Sequence, residues 1–275
     1  MRGRRGLIPL VLFGVAVVIA FLVQLLTTVD RKGASVTTVT IESKAVGRPL
    51  PTTVVIPAAR PEQGKRPLLV FLHGRNGNER SDLDDAFYSA LQAAGPGAPI
   101  VAFPYGGKAS YWHDRADGRW GRYVTREVIP EVVRRFDADP RRVAIGGISM
   151  GGYGAYDIAR LNPGRFCAVA GHSPALWRTG GETAAGAFDD AKDFARHDVI
   201  AAAQANPDLF GNAHVWLDAG DEDPFQPGDQ AFAGALGNRA STHLTWPGGH
   251  DDSYWNAHWP AYARFYTRAL SRCAR

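Results

Sequence analysis

One serine of the sequence stands in a pattern that could support covalent chemistry. Residues 147–151, GISMG, match G-x-S-x-G around Ser149. The strand-like run RVAIGG precedes this pattern, and the helical run MGGYGAYDIARL follows it. A sharp strand-to-helix turn can present a serine hydroxyl, and flanking glycines leave room where the chain crowds the helix. The pattern predicts Ser149 as a nucleophile; the alternative is a glycine-rich junction with an ordinary serine.

A nucleophilic serine needs a base that accepts its proton, and histidine is the usual one. When the serine stands on such a turn, the acid and then the histidine follow it in chain order. Three of the eight histidines come late enough, His243, His250 and His258. His243 falls inside the apolar run THLTW and His258 inside a helical pattern, whereas His250 follows Pro-Gly-Gly just beyond a strand. We therefore assign the base to His250.

The base in turn needs a carboxylate that fixes its tautomer and stabilises its charged form. The run HVWLDAG contains Asp218, and the residues after it, DEDP, supply Asp221 and Asp223. Asp223 lies on the loop before a proline that stiffens it, so we assign the acid to Asp223, with Asp221 as the alternative. The other carboxylates of this stretch are expected to be solvated, and their spacing does not match a calcium-binding loop.

Attack on a carbonyl creates a negative charge that backbone N–H donors must stabilise. The N–H of Met150 lies at a helix N-terminus, where the helix dipole and free N–H groups favour an anion. A second donor should come from the loop after the strand-like run PLLVFLHG, which indicates the backbone N–H of Arg75. His73 in that loop is expected to form structural hydrogen bonds. This chemistry requires no cofactor and no metal, and we predict neither.

Runs of apolar and β-branched residues predict the strands that position these side chains. Residues 35–43 and 51–58 form an expected antiparallel pair. Six further runs are continuously apolar, as in strands covered on both faces: 67–74, 99–106, 142–147, 166–173, 214–220 and 242–249. Helical patterns cover 81–94, 122–136, 150–161, 193–204 and 254–270, the last interrupted or kinked by Pro260. The alternation predicts an α/β-hydrolase fold with a mostly parallel central sheet flanked by helices.

Six segments in this order resemble the putative-esterase family, which includes S-formylglutathione hydrolases, feruloyl and acetylxylan esterases and secreted mycolyltransferases. The resemblance covers most of residues 65–270 and rests on FLHGRNGN, PYGGKASYW, REVIPEVVRRF, GGISMGGYGAYDIA, LDAGDEDPF and GGHDDSYWNAHWPAYARFY. It implies a nucleophile at Ser149, an acid at Asp223, a base at His250 and oxyanion donors at Arg75 and Met150. These are the same residues that the order of the chain indicates.

The resemblance implies hydrolysis of a carboxylic ester, small-molecule or glycan-linked, through an acyl-enzyme. The first alternative is acyl transfer to a sugar hydroxyl, because PYGGKASYW is similar to a stretch of the mycolyltransferases. The rest of their sugar-binding and acyl-groove pattern is not recognisable, so the transferase activity is not carried over. The alternative from another class is a non-catalytic binding module of the cell envelope, which the intact Ser149, Asp223 and His250 argue against.

The N-terminal segment points to a membrane. Residues 7–27, LIPLVLFGVAVVIAFLVQLLT, carry no charge and would span about 30 Å as a helix. Arginines at positions 2, 4 and 5 favour a cytoplasmic N-terminus. We predict one N-terminal transmembrane helix within residues 1–29 and a catalytic domain in residues 30–275, held at the cell membrane on its extracytoplasmic side. Cleavage as a signal peptide, which would release a secreted domain, is the alternative.

Composition narrows the remaining possibilities. The net charge of the 275 residues is +4, and no basic stripe with interleaved aromatics is present, so nucleic acid is not an expected partner.

The two cysteines, Cys167 and Cys273, are too few and too far apart for a metal site. They either pair in an oxidising compartment or remain one buried and one exposed thiol. Four tryptophans either line a substrate pocket or pack in the core: Trp112, Trp120, Trp177 and Trp255.

Overall fold

A sheet of eight strands runs through the protein. The structure is a computed structural model and describes residues 29–273. The first two strands join the sheet antiparallel, and the other six are parallel to one another. The strands are β1 (Ser35–Ser43), β2 (Arg48–Ile56), β3 (Leu68–Leu72), β4 (Ile100–Pro104), β5 (Asp114–Arg115), β6 (Gly118–Arg119), β7 (Val143–Ile148), β8 (Ala168–His172), β9 (His214–Gly220) and β10 (Thr242–Trp246). The order in the sheet is β1-β2-β4-β3-β7-β8-β9-β10, and β5 and β6 form a separate hairpin.

The eight strands expected from the apolar runs are all present, and the α/β-hydrolase fold is confirmed. Strands β3, β4, β7 and β8 are buried along their whole length, as continuous apolar runs predict. The expectation of cover on both faces is wrong for β10, which alternates between half-buried and exposed residues. The reason is topological, because β10 pairs only with β9 and forms the edge of the sheet.

Helices cover both faces of the sheet. The first and the last helix share one hydrophobic core, and the other helices that pack on the sheet contribute to the core on the opposite face. The helices are α1 (Asp85–Ala93), α2 (Trp120–Arg122), α3 (Ile129–Phe136), α4 (Met150–Arg160), α5 (Ala191–His197), α6 (Val199–Ala205), α7 (Gln226–Leu236) and α8 (Asp252–Ser271). A π-helical segment, Tyr123–Val128, joins α2 to α3.

Three helical segments differ from the sequence prediction. The expected helix over 193–204 is two helices, because the Asp198 side chain accepts a hydrogen bond from the Ala201 N–H and begins α6. Helix α7 was not predicted from the sequence, since Pro227 and two glycines weaken its helical pattern. Of the interruption or kink expected at Pro260, the interruption is wrong, because α8 continues on both sides of this residue.

The structure joins Cys167 and Cys273 in a disulfide, which selects one of the two alternatives that the sequence left open. Their Cα atoms lie 5.4 Å apart, within the range that the bond geometry allows. The bond ties the end of α8 to the start of β8 across 106 residues of chain. Closing a loop of this length stabilises a fold by about 4.7 kcal/mol in the chain-entropy treatment of the unfolded state.

The predicted membrane segment, residues 7–27, lies outside the described residues. Within residues 29–273, no helix combines the length and the apolar character needed to cross a bilayer. The transmembrane helix therefore stays a prediction of the sequence, as does the boundary between residues 1–29 and the catalytic domain.

Candidate active site

Ser149 occupies the turn between β7 and α4, as the motif predicts. Its backbone has φ 55° and ψ −116°, a conformation that a residue with a side chain rarely adopts. Three backbone hydrogen bonds hold the turn: the Ser149 N–H donates to the His172 carbonyl, and the Ser149 carbonyl accepts from Tyr153 and Ala175 at 3.0–3.1 Å. These bonds tie the strained turn to helix α4, to the end of β8 and to the loop after β8. Ser149 is 8% exposed.

The two glycines of the motif are required by the same close packing. A Cβ atom on Gly147 or on Gly151 would overlap the carbonyl oxygen of Leu72 at the end of β3. The turn can therefore lie against β3 only where these side chains are absent. This contact also places the loop after β3 beside the nucleophile, since a Cβ on Gly74 would lie 3.6 Å from the Cβ of Ser149.

The three side chains assigned to the acid, base and nucleophile form one continuous hydrogen-bonded chain. His250 Nε2 lies 2.9 Å from Ser149 Oγ, and His250 Nδ1 lies 2.9 Å from Asp223 Oδ2. The other oxygen of Asp223 accepts a hydrogen bond of 2.8 Å from the Phe225 N–H. Asp223 is 4% exposed, so its negative charge lies beside the imidazole with little solvent screening. This geometry permits proton transfer from the hydroxyl to His250.

The alternative acid, Asp221, forms a hydrogen bond to the backbone of a neighbouring loop. Its side chain is exposed and accepts a hydrogen bond of 2.9 Å from the Gly248 N–H. The Gly248 carbonyl in turn accepts from the Glu222 N–H, and Gly220 has no room for a Cβ against that carbonyl. Asp221 therefore connects the loop after β9 to the loop that carries His250.

Asp218 is not solvated, contrary to the expectation, because it lies at the centre of a buried polar network. Its carboxylate accepts hydrogen bonds from two hydroxyls of α8, those of Tyr254 and Tyr262, each at 2.9 Å. It also contacts Nδ1 of His172 at 2.7 Å, and His172 and Asp218 are both fully buried. The Nε1–H of Trp216, two residues earlier on β9, also donates to this carboxylate. The network joins α8 to the ends of β8 and β9, and the sequence could not reveal it because His172, Tyr254 and Tyr262 are 36 to 46 residues from Asp218 along the chain.

The two predicted oxyanion donors belong to the two segments that adjoin the nucleophile, the start of α4 and the loop after β3. Met150 is the first residue of α4, and Arg75 follows Gly74 in the loop after β3. Within the described residues, neither backbone N–H donates to another protein group. Both therefore remain available to an oxygen that develops negative charge beside Ser149, and the dipole of α4 favours that charge.

His73 holds the loop that carries Arg75. Burial lowers the pKa of His73 to about 4, so the imidazole is neutral at neutral pH. Its Nδ1–H donates to the Gly74 carbonyl at 2.8 Å, and its Nε2 accepts from the Gly106 N–H at 3.0 Å. Both ring nitrogens are thus engaged in structural hydrogen bonds, as the sequence led us to expect.

A second buried carboxylate near the acid was not singled out from the sequence. Asp229 on α7 is 1% exposed, and neither of its oxygens meets a hydrogen-bond partner in the described part of the chain. Burial and the nearby charges of Asp223 and Asp218 raise the pKa of Asp229 well above its usual value. These surroundings favour the uncharged form of Asp229 over a second negative charge beside Asp223.

The four tryptophans divide between core and site. Trp112 and Trp120 are fully buried in the core. Trp177 is buried and packs on Phe225, whose ring lies 5.0 Å from the imidazole of His250. Trp255 is half-buried, with its ring centre 5.2 Å from that of His250. Only Trp177 and Trp255 therefore remain candidates for contact with a substrate.

Among residues 29–273, no group of three or more His, Cys, Asp or Glu side chains is arranged to hold a metal ion. The described site therefore consists of the hydrogen-bonded chain, the two backbone donors and the aromatic side chains around the imidazole.

Comparison with known proteins shows which family the chain belongs to. The sequence pattern of the family described as putative esterase matches residues 43–266. The S-formylglutathione hydrolase of Bos taurus is 29% identical over 136 residues, which are 41% of this chain and 48% of the relative. The chain thus spans about half the length of the curated relatives that it matches.

Solved structures share the fold. A ferulic acid esterase superposes with a TM-score of 0.73 at 21% identity, over 86% of this chain and 98% of its own. An S-formylglutathione hydrolase from Agrobacterium tumefaciens superposes with a TM-score of 0.73 at 16% identity, over 87% and 96% of the two chains. Because the family pattern covers most of the chain, the protein belongs to the putative-esterase family.

Proposed function

We propose that the protein hydrolyses a carboxylic ester through a covalent acyl-enzyme on Ser149, on the extracytoplasmic side of the membrane. The observation that carries the proposal is the hydrogen-bonded chain from Ser149 through His250 to Asp223, with both distances at 2.9 Å. A serine hydroxyl is a weak nucleophile until a neighbouring base accepts its proton, and this chain supplies the base and the group that orients it.

In the first half of the reaction, Ser149 Oγ attacks the ester carbonyl while His250 Nε2 accepts the hydroxyl proton. Asp223 stabilises the imidazolium that forms, because its buried carboxylate lies 2.9 Å from Nδ1. The N–H groups of Met150 and Arg75 stabilise the negative oxygen of the tetrahedral intermediate. The intermediate collapses when the C–O bond to the alcohol breaks, and His250 delivers its proton to the departing oxygen.

In the second half, water takes the place of the alcohol. His250 removes a proton from the water as it attacks the acyl carbon, and the same backbone donors stabilise the second tetrahedral intermediate. Collapse releases the carboxylic acid, and the proton returns from His250 to Ser149 Oγ. The protein's own residues complete this cycle, so we expect it to proceed without a cofactor.

Transfer to a sugar hydroxyl would use the same serine and differ in what reaches the acyl-enzyme. A transferase must bind the acceptor and limit access of water, which requires a shaped acceptor site. The segment after the buried Trp112 is the short polar hairpin β5–β6, which carries Asp114, Arg115 and Arg119 and does not form an apolar enclosure. This favours water as the acceptor.

The choice of acceptor can be read from the products. With a soluble short-chain ester and millimolar trehalose or glucose, free carboxylic acid should exceed acylated sugar, and initial turnover should not rise with the sugar concentration. Chromatography with mass detection measures both products, with Ser149→Ala as the blank. Predominant acylated sugar would replace the hydrolase assignment with an acyltransferase.

Two observations support the extracytoplasmic location. The disulfide between Cys167 and Cys273 is typical of proteins in an oxidising compartment. The uncharged residues 7–27, preceded by three arginines, favour a membrane anchor with a cytoplasmic N-terminus.

Topology can be tested on cells stripped of their wall. Before treatment, full-length protein should be in the membrane fraction, and added protease should digest the domain beyond residue 30. A cytoplasmic protein measured in the same cells serves as the control for cell integrity. Protected full-length protein would contradict the orientation, and soluble protein without its first residues would replace the anchor with a cleaved signal peptide.

A further inference from the structure

A groove of about 430 Å³ runs between the edge strand β10 and helix α8. Its floor is aromatic: Trp216 lies 6.0 Å from Trp246 and 5.1 Å from Phe265, measured between ring centres. Leu244 and Ala261 extend the apolar lining. None of the lining residues belongs to the hydrogen-bonded chain of the active site. The groove is therefore a second concave surface with an apolar base.

Arginines line one wall of this groove. Arg264, Arg268 and Arg272 follow one another at four-residue intervals on α8 and its C-terminal cap, so each lies about 6 Å from the next along the helix axis. All three are exposed. No carboxylate lines the groove, and in the described part of the chain none of the three forms an ion pair. The wall is a row of positive charge without a neutralising partner in residues 29–273.

This row is unfavourable for the helix by itself. Like charges four residues apart repel each other on a helix surface. The dipole at the C-terminus of α8 offsets the repulsion for Arg268 and Arg272, which lie at the last turn, but not for Arg264, which lies further in. Neither effect accounts for the aromatic floor beside the row. An occupant with negative charge at one end and an apolar body would satisfy both surfaces together.

The position of the groove favours a lipid as this occupant. Residues 31 and 32, which follow the apolar segment 7–27, line a cleft with Tyr88 and Leu91 of α1. Helix α1 and helix α8 pack in the same core on one face of the sheet. The chain therefore reaches the domain on the layer that also presents the arginine row. If residues 7–27 are the anchor proposed above, this layer faces the lipid headgroups.

We propose that the groove between β10 and α8 binds an anionic membrane phospholipid, with the phosphate headgroup against Arg264, Arg268 and Arg272 and an acyl chain over Trp216, Trp246 and Phe265. The free edge of β10 would also accept an acidic peptide as an added strand. The lipid is favoured because the groove places the cations beside aromatic rings and not along the strand. The proposal rests on the membrane anchor proposed above.

The test uses the full chain in a neutral detergent. Native mass spectrometry counts bound lipid after addition of phosphatidylglycerol or of phosphatidylcholine at equal concentration. The wild type should bind phosphatidylglycerol at least tenfold more tightly than phosphatidylcholine. The triple variant Arg264→Gln, Arg268→Gln, Arg272→Gln should lose this preference. The matched control Arg119→Gln, Arg122→Gln, Arg126→Gln removes the same charge on the other face of the sheet and should keep it.

A further variant separates the groove from general attraction between charges. Ala261→Trp fills the floor and leaves the arginines intact, so it should weaken phosphatidylglycerol binding while ester turnover is unchanged. Equal binding of the two lipids by the wild type, or an undiminished preference in the variant that lacks the arginine row, would overturn the proposal. Binding of an acidic decapeptide without lipid selectivity would replace the lipid with a peptide partner. Ester turnover in every variant reports separately on the catalytic assignment.

Discussion

Ser149→Ala is expected to lower kcat for a soluble carboxylic ester by at least about a thousandfold. The hydroxyl is the atom that forms the acyl-enzyme, and its removal leaves His250 without the group whose proton it accepts at 2.9 Å. The residual rate would come from binding and from the backbone donors of Met150 and Arg75. Steady-state kinetics with a chromogenic ester measure the loss, and thermal unfolding of the variant verifies that the fold is intact.

Ser173→Ala is the matched control for this change. Ser173 is also buried at the end of a central strand and has a positive φ of 47°, and in the described chain its hydroxyl has no hydrogen-bond partner. Its replacement should leave turnover within about threefold of the wild type, since no step of the proposed reaction uses its hydroxyl. Turnover by Ser149→Ala close to that of Ser173→Ala would contradict the assignment of the nucleophile.

Asp223→Asn is expected to reduce kcat by about 10⁴-fold with little change in the overall structure. The amide removes the negative charge that stabilises the imidazolium, and it permits the ring tautomer in which Nε2 carries the proton and cannot accept the one from Ser149. The effect should appear in kcat rather than in KM, because the charge matters when the imidazolium forms.

Two neighbouring aspartates provide matched controls. Asp229→Asn should retain activity, because burial and the nearby carboxylates favour the uncharged form of that carboxyl and the amide has the same shape. Asp221→Asn should cost less than about tenfold, because Asp221 is exposed and bonds the Gly248 N–H rather than the imidazole. A severe loss in Asp221→Asn together with a mild loss in Asp223→Asn would move the acid to Asp221.

The elements that position the candidate site could be predicted because their signals are local. The glycines around Ser149, the strand-like run before it and the helical pattern after it lie within about twenty residues. The two glycines of the motif have a steric reason, because a Cβ on either would overlap the Leu72 carbonyl oxygen. Chain order then left few histidines and carboxylates to choose from. The hydrogen-bonded chain brings together the three residues chosen in that way, and their catalytic roles stay a prediction.

Other features depend on contacts between distant residues and left no local signal. The disulfide requires the end of α8 to return to the start of β8, which is a property of the whole fold. Asp218 resembles any other acidic residue near a strand end, yet three of its four hydrogen-bonding partners, His172, Tyr254 and Tyr262, come from two other elements. The exposed face of β10 follows from its place at the sheet edge and not from its apolar sequence.

The central claim, a covalent intermediate on Ser149, is tested most directly by mapping a fluorophosphonate adduct. The reagent reacts with serines that a neighbouring base activates, so the full chain should take up one equivalent, in parallel with its loss of ester turnover. Peptide mass spectrometry should place the added mass on Ser149, and Asp223→Asn should react far more slowly than Asp229→Asn. An adduct on a different residue, or full ester turnover while Ser149 is quantitatively modified, would contradict the account.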